Sequence, residues 1–162
     1  MIITDERIKK CIHEVLLLSL FKSFCEKNET KEAKQRLRNI YSHSGNHLET
    51  TKNLIINELH EEISEDDDTK RMYTMIIAFL NKSNYRKTIP DSVKIALLKR
   101  QNNRCAICGK EIDIHAHADH SVPFKYVGDE LKDNYQMLCT SCNLKKNASI
   151  DFQIRFLLKS VK

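Results

Sequence analysis

The sequence predicts an α+β protein in which a helical N-terminal region, residues 1–88, precedes a smaller C-terminal domain, residues 89–162. The chain has only 3 glycines and 2 prolines, which favours long helices over tight turns. Apolar residues recur at helical spacing as far as Asn81, and the pattern then changes to short pieces. Two Cys-x-x-Cys pairs lie in this second part, where they indicate a small fold held together by a metal.

Four helices are predicted in the N-terminal region. The first, over Asp5–Asn28, has apolar residues at spacings of mostly three and four, which form a continuous stripe. Further helices are predicted over Lys31–Tyr41, Leu48–Ile63 and Thr69–Asn81, the last of them after an acidic stretch that suits a helix start. The stripes indicate a core, and the near-zero net charge of the region argues against a primary surface for a polyanion.

The polar segment Lys82–Pro90 is the predicted domain boundary, and its proline begins a helix over Val93–Arg100. In the C-terminal domain, Ile112–Ala118 alternates in places between apolar and polar residues, which predicts a strand. A helix is expected to begin over Cys142–Asn147. The apolar tail after Ser149 predicts a last helix that packs back on the core.

Composition excludes some classes of protein. No apolar run approaches the roughly 20 residues that a membrane-spanning helix needs, so no membrane contact is expected. The first ten residues mix acids and cations and lead to no small-residue cleavage site, so the sequence predicts a cytoplasmic protein. In a reducing compartment, the 6 cysteines favour metal binding over disulfides.

The formal net charge of +5 is concentrated in the C-terminal domain. Residues 94–110 contain no acidic residue and five basic ones, which are Lys94, Lys99, Arg100, Arg104 and Lys110. A basic segment of this kind suits a polyanionic partner such as nucleic acid. A solvated helix face is the alternative, and the charge pattern leaves both open.

The two Cys-x-x-Cys pairs have the spacing of a structural zinc site. The four cysteines are Cys105, Cys108, Cys139 and Cys142. Each pair presents two sulfurs from one tight turn, so four ligands can converge in the tetrahedral arrangement that zinc prefers. Gly109 supports this reading because such turns often need a positive φ, although redox-active or simply buried cysteine pairs remain an alternative. Cys11 and Cys25 have no partners at ligand spacing, and we expect ordinary buried cysteines there.

Three stretches of the C-terminal domain together carry a family resemblance. They are Cys105–Gly109, Ala118–Pro123 and Asp133–Lys146, with the Asp-His dipeptide in the second and Cys-Asn-Leu-Lys-Lys at the end of the third. Residues 104–147 resemble the HNH nuclease family, and more narrowly the ββα-metal nucleases that carry a four-cysteine zinc. The third motif position is Asn143 rather than histidine, which makes this an HNN variant that still offers an oxygen ligand.

The resemblance implies a catalytic set made of Asp119, His120, Asn134 and Asn143. His120 would be the general base, since a reference pKa of about 6.5 suits proton transfer from water at neutral pH. Asp119 and Asn143 would hold Mg²⁺ or Mn²⁺ through side-chain oxygens, which these cations prefer. Asn134 would order the loop and help to orient His120.

Other side chains are candidates for the nucleic acid or the metal. By the same resemblance, Lys145 and Lys146 would contact a flanking phosphate, and Arg104 belongs to the basic run that suits the same partner. His115 and His117 would share the strand face of Asp119 and could reach the metal, but exposed histidines without a role are expected there.

The sequence therefore predicts a metal-dependent DNA endonuclease that leaves 5′-phosphate and 3′-hydroxyl ends, with RNA not excluded as a substrate. The alternative is a zinc-ribbon module that binds nucleic acid or protein without catalysis. The N-terminal helices are expected to dock a protein partner or to form a homodimer. A restriction, phage or anti-phage defence context is implied by the family resemblance alone.

Overall fold

The computed structural model describes residues 5–159, which are mostly helical and include a small two-stranded sheet. The helices are α1 (Glu6–Lys27), α2 (Lys31–Ser42), α3 (His47–Leu59), α4 (Asp66–Asn81), α5 (Asp91–Arg100), α6 (Phe124–Val127), α7 (Thr140–Lys146) and α8 (Ile150–Lys159). The strands are β1 (His117–His120) and β2 (Tyr135–Leu138). The predicted α+β class is confirmed. Among the helices of this range, none combines the length and apolar character that crossing a membrane would require.

Side-chain caps fix the starts of the first three helices. The carboxylate of Asp5 accepts from the backbone N–H of Arg7 at 2.9 Å, and Thr30 and Asn46 cap α2 and α3 in the same way. Helix α3 ends at Leu59, before the predicted end at Ile63, because His60 adopts the left-handed conformation at φ 57°. Helix α4 begins earlier than predicted, with three aspartates in its first turn, where they oppose the helix dipole.

The main hydrophobic core joins both predicted regions. Helices α1 to α4 supply most of it, including Phe21, whose ring lies 6.5 Å from that of Phe79. The C-terminal region contributes Val122, Tyr126, Val127, Leu131 and Ile150 to the same core. Helix α8 packs against α1, as predicted for the tail. The domain boundary between residues 88 and 89 stays a prediction. Apolar side chains from both sides of it are buried in the same core.

The sheet is one antiparallel pair in which Asp119 lies opposite Gln136 and His120 opposite Tyr135. The predicted strand over Ile112–Ala118 was wrong for most of its length, because β1 begins only at His117. The alternating apolar residues before it pack instead on a small second core formed by α5 and β2. A backbone hydrogen bond of 3.0 Å from Ala116 N to the carbonyl of Asp113 turns the chain there.

The segment between α4 and α5 packs on α6 and on the loop that follows it. The ammonium of Lys82 donates to the carbonyl of Lys125, and the backbone N–H of Lys87 donates to the Asp129 carboxylate at 2.8 Å. Gly128 lies in this loop at φ 59° and ψ −143°, a conformation that favours glycine. A Cβ at this position would lie 2.9 Å from Cβ of Lys82, so the close approach also requires glycine.

Candidate active site

Four cysteine sulfurs converge at one end of the sheet. Those of Cys105, Cys108, Cys139 and Cys142 all lie within 4.8 Å of one another. The sulfurs of Cys108 and Cys139 are 3.8 Å apart. A tetrahedral zinc with Zn–S bonds of about 2.3 Å separates its sulfurs by about 3.8 Å. The cluster therefore has the composition and the size of a four-thiolate zinc site.

Backbone contacts hold the two cysteine turns in place. The N–H of Gly109 donates to the carbonyl of Cys105 at 3.0 Å, with Gly109 at φ 73° as the turn requires. The N–H of Ala106 donates to the carbonyl of Met137 at 3.1 Å, which fastens this turn to β2. Cys139 is the N-cap of α7, and its sulfur accepts from the N–H of Cys142 at 3.5 Å. The cysteine cluster thus connects β2 to the start of α7.

The surroundings of Cys105 and Cys142 shift the pKa values of these two thiols in opposite directions. Burial raises the pKa of Cys105, but N–H donors that include those of Cys108 and Cys139 outweigh it and lower this pKa to about 7. Burial and the neighbouring sulfurs raise the pKa of Cys142 to about 12. A divalent cation would remove this repulsion, since it favours the thiolate form of all its ligands.

The imidazole of His120 is buried at the end of β1. Only 4% of its side chain is exposed, and its Nε2 lies 2.7 Å from Oδ1 of Asp129. The ring packs between Phe124 and Tyr135, at centroid distances of 5.3 and 4.9 Å. Two aromatic walls and one carboxylate therefore fix the orientation of the imidazole.

Asp129 is a site residue that the sequence did not reveal. Its Oδ1 also accepts from the Tyr135 hydroxyl at 2.8 Å, and its Oδ2 accepts from the backbone N–H of Lys87. Burial raises the pKa of Asp129, but these three donors, with His120 among them, outweigh it and hold the pKa below its usual value. Burial and the neighbouring Asp129 charge raise the pKa of Tyr135 to about 12. No motif marks Asp129, because the path of the loop rather than a spacing rule brings it to His120.

The ionised carboxylate of Asp129 decides the tautomer of His120. A carboxylate can only accept, so the Nε2 of the neutral imidazole carries the hydrogen and Nδ1 keeps the basic lone pair. Within residues 5–159, Nδ1 has no hydrogen-bond partner. The arrangement leaves one ring nitrogen ready to take a proton.

Asn134 holds the loop that follows His120. Its buried amide accepts from the backbone N–H of Val122 and donates to the carbonyl of the same residue, both at 2.8 Å. The carbonyl of Asn134 also accepts from the N–H of Ser121 at 2.8 Å. These contacts are the kind that the predicted loop-ordering role of Asn134 needs.

Asp119 lies on the opposite face of β1 from His120, where it meets α7. Its Oδ2 is 2.8 Å from the ammonium of Lys146, in the last turn of that helix. Asn143 precedes Lys146 by three positions, so both side chains lie on the same face of α7. Asn143 is half-buried, and its backbone bonds are those of the helix. Asp119 and Asn143 therefore offer a carboxylate and an amide oxygen from two adjacent elements.

Side-chain oxygens of this kind would suit a hard divalent cation. Asp119 Oδ2 is buried and its negative charge is paired with the Lys146 ammonium, while 21% of the side chain stays exposed and accessible to a cation. Mg²⁺ and Mn²⁺ prefer carboxylate and carbonyl oxygens and commonly keep waters and substrate phosphates as further ligands. Asp119 and Asn143 are both half-buried, which would leave room for such further ligands.

The residues that were predicted to contact phosphate differ in their exposure to solvent. Lys146 is completely buried against Asp119, which does not fit a surface contact with phosphate. Lys145 is exposed, and so is Arg104, whose guanidinium donates to the carbonyl of Gly109 at 3.1 Å. His117 is exposed on β1 beside Thr140, at 3.2 Å from its hydroxyl oxygen.

Comparison with known proteins identifies the segment that carries these residues. Residues 105–149 match the sequence model of the HNH endonuclease family. This segment is similar to an HNH endonuclease domain. Searches of curated proteins and of solved structures returned no match. The HNH domain indicates nuclease activity and nucleic-acid binding in general, and the clustered cysteines within it indicate zinc.

Proposed function

We propose that the protein is a metal-dependent endonuclease that hydrolyses phosphodiester bonds of DNA. His120 is the general base, and Asp119 and Asn143 hold Mg²⁺ or Mn²⁺. One observation carries the proposal: the HNH domain contains a buried histidine that a carboxylate fixes in one tautomer, on the strand that also bears Asp119. By family resemblance, the setting is restriction, phage biology or anti-phage defence.

The side chains can perform the proton transfers of hydrolysis. Nδ1 of His120 takes a proton from water, and the water oxygen attacks phosphorus as the bond to the 3′ oxygen breaks. The leaving oxygen departs with the bonding electron pair and takes a proton from solvent water, which gives 5′-phosphate and 3′-hydroxyl ends. The negative charge of Asp129, at 2.7 Å from Nε2, stabilises the imidazolium that forms.

The cation contributes to the same reaction. When bound, Mg²⁺ or Mn²⁺ supplies Lewis-acid stabilisation of the charge that develops on the phosphate and the leaving oxygen. Asp119 and Asn143 would hold it on the face of β1 next to α7. Asn134 keeps the loop after β1 in place through its two hydrogen bonds to Val122.

Exposed cations near the site would position the nucleic acid. Arg104 and Lys145 flank the cysteine cluster and are solvent-exposed, so their charges are available to backbone phosphates. The N-terminal helices support the site by packing on the residues that follow β1. A docking or dimerisation role for these helices remains a prediction, and so does the preference for DNA over RNA.

The alternative, a zinc-ribbon module without catalysis, would need only the cysteine cluster and the basic residues. It gives no reason for a histidine and a carboxylate to be buried together at 2.7 Å. It also gives no reason for Asn134 to fasten the loop behind that histidine. The nuclease proposal uses all of these features.

Cleavage of supercoiled plasmid tests the proposal. The purified full-length protein, His120→Ala and a control, His117→Ala, are compared with Mg²⁺, with Mn²⁺ and with EDTA. We expect metal-dependent nicking or linearisation by the wild type and by His117→Ala, whose exposed histidine lies on the same strand. The loss of the general base in His120→Ala should lower the rate by about 10²- to 10⁴-fold.

Two results would contradict the proposal. Equal cutting by wild type and His120→Ala would show that another group or a contaminant is responsible. No cutting of plasmid or of a single-stranded RNA by the wild type, combined with metal-independent binding to both, would favour the zinc-ribbon module.

A further inference from the structure

The ammonium of Lys146 is buried at the place where a metal ligand is proposed. Only 1% of the Lys146 side chain is exposed. Its Nζ donates to the carbonyl of His120 at 2.7 Å and lies 2.8 Å from Oδ2 of Asp119. A buried charge is stable only when it is paired and hydrogen-bonded, and these two oxygens meet that need.

The contact divides the two carboxylate oxygens of Asp119 into different roles. Oδ2 is fully buried, and among residues 5–159 its partner is the Lys146 ammonium. The Asp119 side chain nevertheless keeps 21% of its surface exposed. Because Oδ2 contributes almost none of this surface, Oδ1 is the oxygen that remains open to a cation.

The same contact sets the charge of the proposed metal site. Asp119 brings one negative charge, Asn143 brings none, and Lys146 brings one positive charge. The Asp129 carboxylate is paired with His120 on the other face of β1. Affinity for a divalent cation grows with the number of negative ligands, so this set holds the cation weakly by itself.

We propose that Lys146 is a positioning residue that leaves Asp119 one free oxygen and cancels its charge, so that the cation and the nucleic acid bind cooperatively. A backbone phosphate beside the site supplies the negative charge that the protein ligands lack. The coupling is reciprocal, because each ligand must raise the affinity of the other by the same factor. The inference rests on the proposed function, since it takes Asp119 and Asn143 as the metal ligands.

Binding of Mn²⁺, followed by electron paramagnetic resonance, tests the coupling directly. The zinc-loaded full chain carrying His120→Ala is titrated with Mn²⁺, with and without a blunt DNA duplex, so that no cleavage disturbs the equilibrium. We expect the duplex to tighten Mn²⁺ binding by about tenfold or more, where tenfold corresponds to about 1.4 kcal/mol. Asp119→Asn in the same background should abolish this Mn²⁺ binding and so assign it to the site.

Two lysine variants separate the role of Lys146 from general electrostatics. Lys146→Met keeps the length of the apolar stem but removes the charge. We expect it to bind Mn²⁺ about tenfold more tightly without DNA and to show less coupling, because no positive charge then offsets that of Asp119. Lys145→Met, the matched control, removes an exposed charge one residue away. It should weaken duplex binding and leave Mn²⁺ affinity without DNA unchanged.

The outcomes separate this inference from the proposed function. If the duplex does not change Mn²⁺ affinity in the His120→Ala protein, or if Lys146→Met binds Mn²⁺ no more tightly than Lys145→Met, the inference is overturned. The first comparison does not depend on whether Lys146→Met folds. Plasmid cleavage by the wild type without coupling would overturn the inference alone. Coupling without cleavage would overturn the proposed nuclease activity alone.

Discussion

The imidazole of His120 and the carboxylate of Asp129 form a buried pair in which the carboxylate orients the imidazole. Asp129 accepts at Oδ1 from both Nε2 of His120 and the hydroxyl of Tyr135. A carboxylate held by several donors stays ionised, which keeps the histidine in the tautomer that exposes Nδ1. The orientation of His120 therefore depends on the negative charge of Asp129, a residue that no sequence motif indicates.

Replacing Asp129 by asparagine tests that charge. Asp129→Asn keeps the size of the side chain but lets the amide donate to Nε2, which would move the hydrogen of His120 to Nδ1. We expect the rate constant for plasmid cleavage to fall by about 10²- to 10⁴-fold with little change in KM. Cleavage kinetics at several substrate concentrations would measure both, and ¹⁵N NMR of the imidazole would report the tautomer.

Tyr135→Phe is the matched control for Asp129→Asn. It removes the other side-chain hydrogen bond to the same oxygen and leaves the negative charge in place. We expect a smaller loss of rate and an unchanged tautomer. If Asp129→Asn retained zinc, the wild-type melting temperature and the wild-type rate, then Asp129 would have no positioning role.

Helix α7 is the element that connects the cysteine cluster to the proposed metal ligands. Cys139 is both a member of the cluster and the N-cap of α7, and the helix carries Asn143 and Lys146. The helix has only 7 residues, too few to be stable without tertiary contacts. A cation bound to the cysteines would therefore fix the position of the face of α7 that carries Asn143 and Lys146.

Loss of one cysteine of the cluster should remove the contact that holds α7 in position. We expect Cys139→Ser to release zinc, to lower the melting temperature of the C-terminal part and to weaken Mn²⁺ binding at Asp119 and Asn143. Zinc content, thermal unfolding and Mn²⁺ titration would measure the three effects. Cys11→Ser is the control, because Cys11 lies in α1 outside the cluster. Full zinc content in Cys139→Ser would contradict the four-thiolate site.

The sequence predicted those elements that neighbouring residues specify through apolar periodicity, helix-start residues or ligand spacing. Apolar periodicity together with start and stop signals predicted helices α1 to α5, and ligand spacing predicted the cysteine cluster. The apolar alternation of Ile112–Ala118 failed as a strand signal, because packing on α5 and β2 produces the same alternation. Asp129 and the burial of Lys146 could not be predicted, since both depend on how a loop and a helix end meet β1.

The whole molecule has one main core to which both parts of the chain contribute. Helix α1 packs on α8 and helix α4 packs on α6, which carry Ile150 and Tyr126, and burying a large apolar side chain contributes about 1.5–3 kcal/mol. The total stability of a domain is only about 5–15 kcal/mol. The residues after His120 therefore depend on the N-terminal helices for their position.

This dependence predicts that residues 89–162 do not fold fully without the rest of the chain. Separated from the helices, the segment would expose the apolar side chains that it contributes to the main core. We expect the isolated segment to bind zinc but to lack a cooperative thermal transition and cleavage activity. Calorimetry and plasmid cleavage, with the full chain as the control, would measure this. A sharp transition in the isolated segment would show that the predicted boundary separates independent domains.

The hydrogen bond from the backbone N–H of Lys87 to Asp129 has a consequence for sequence comparison. Any amino acid except proline can provide a main-chain donor, so this hydrogen bond sets no other requirement on the side chain at position 87. The carboxylate at position 129 has no such freedom, because a side chain must supply it. In an alignment of relatives we expect an acid to be retained at position 129. At position 87 we expect only that proline is absent.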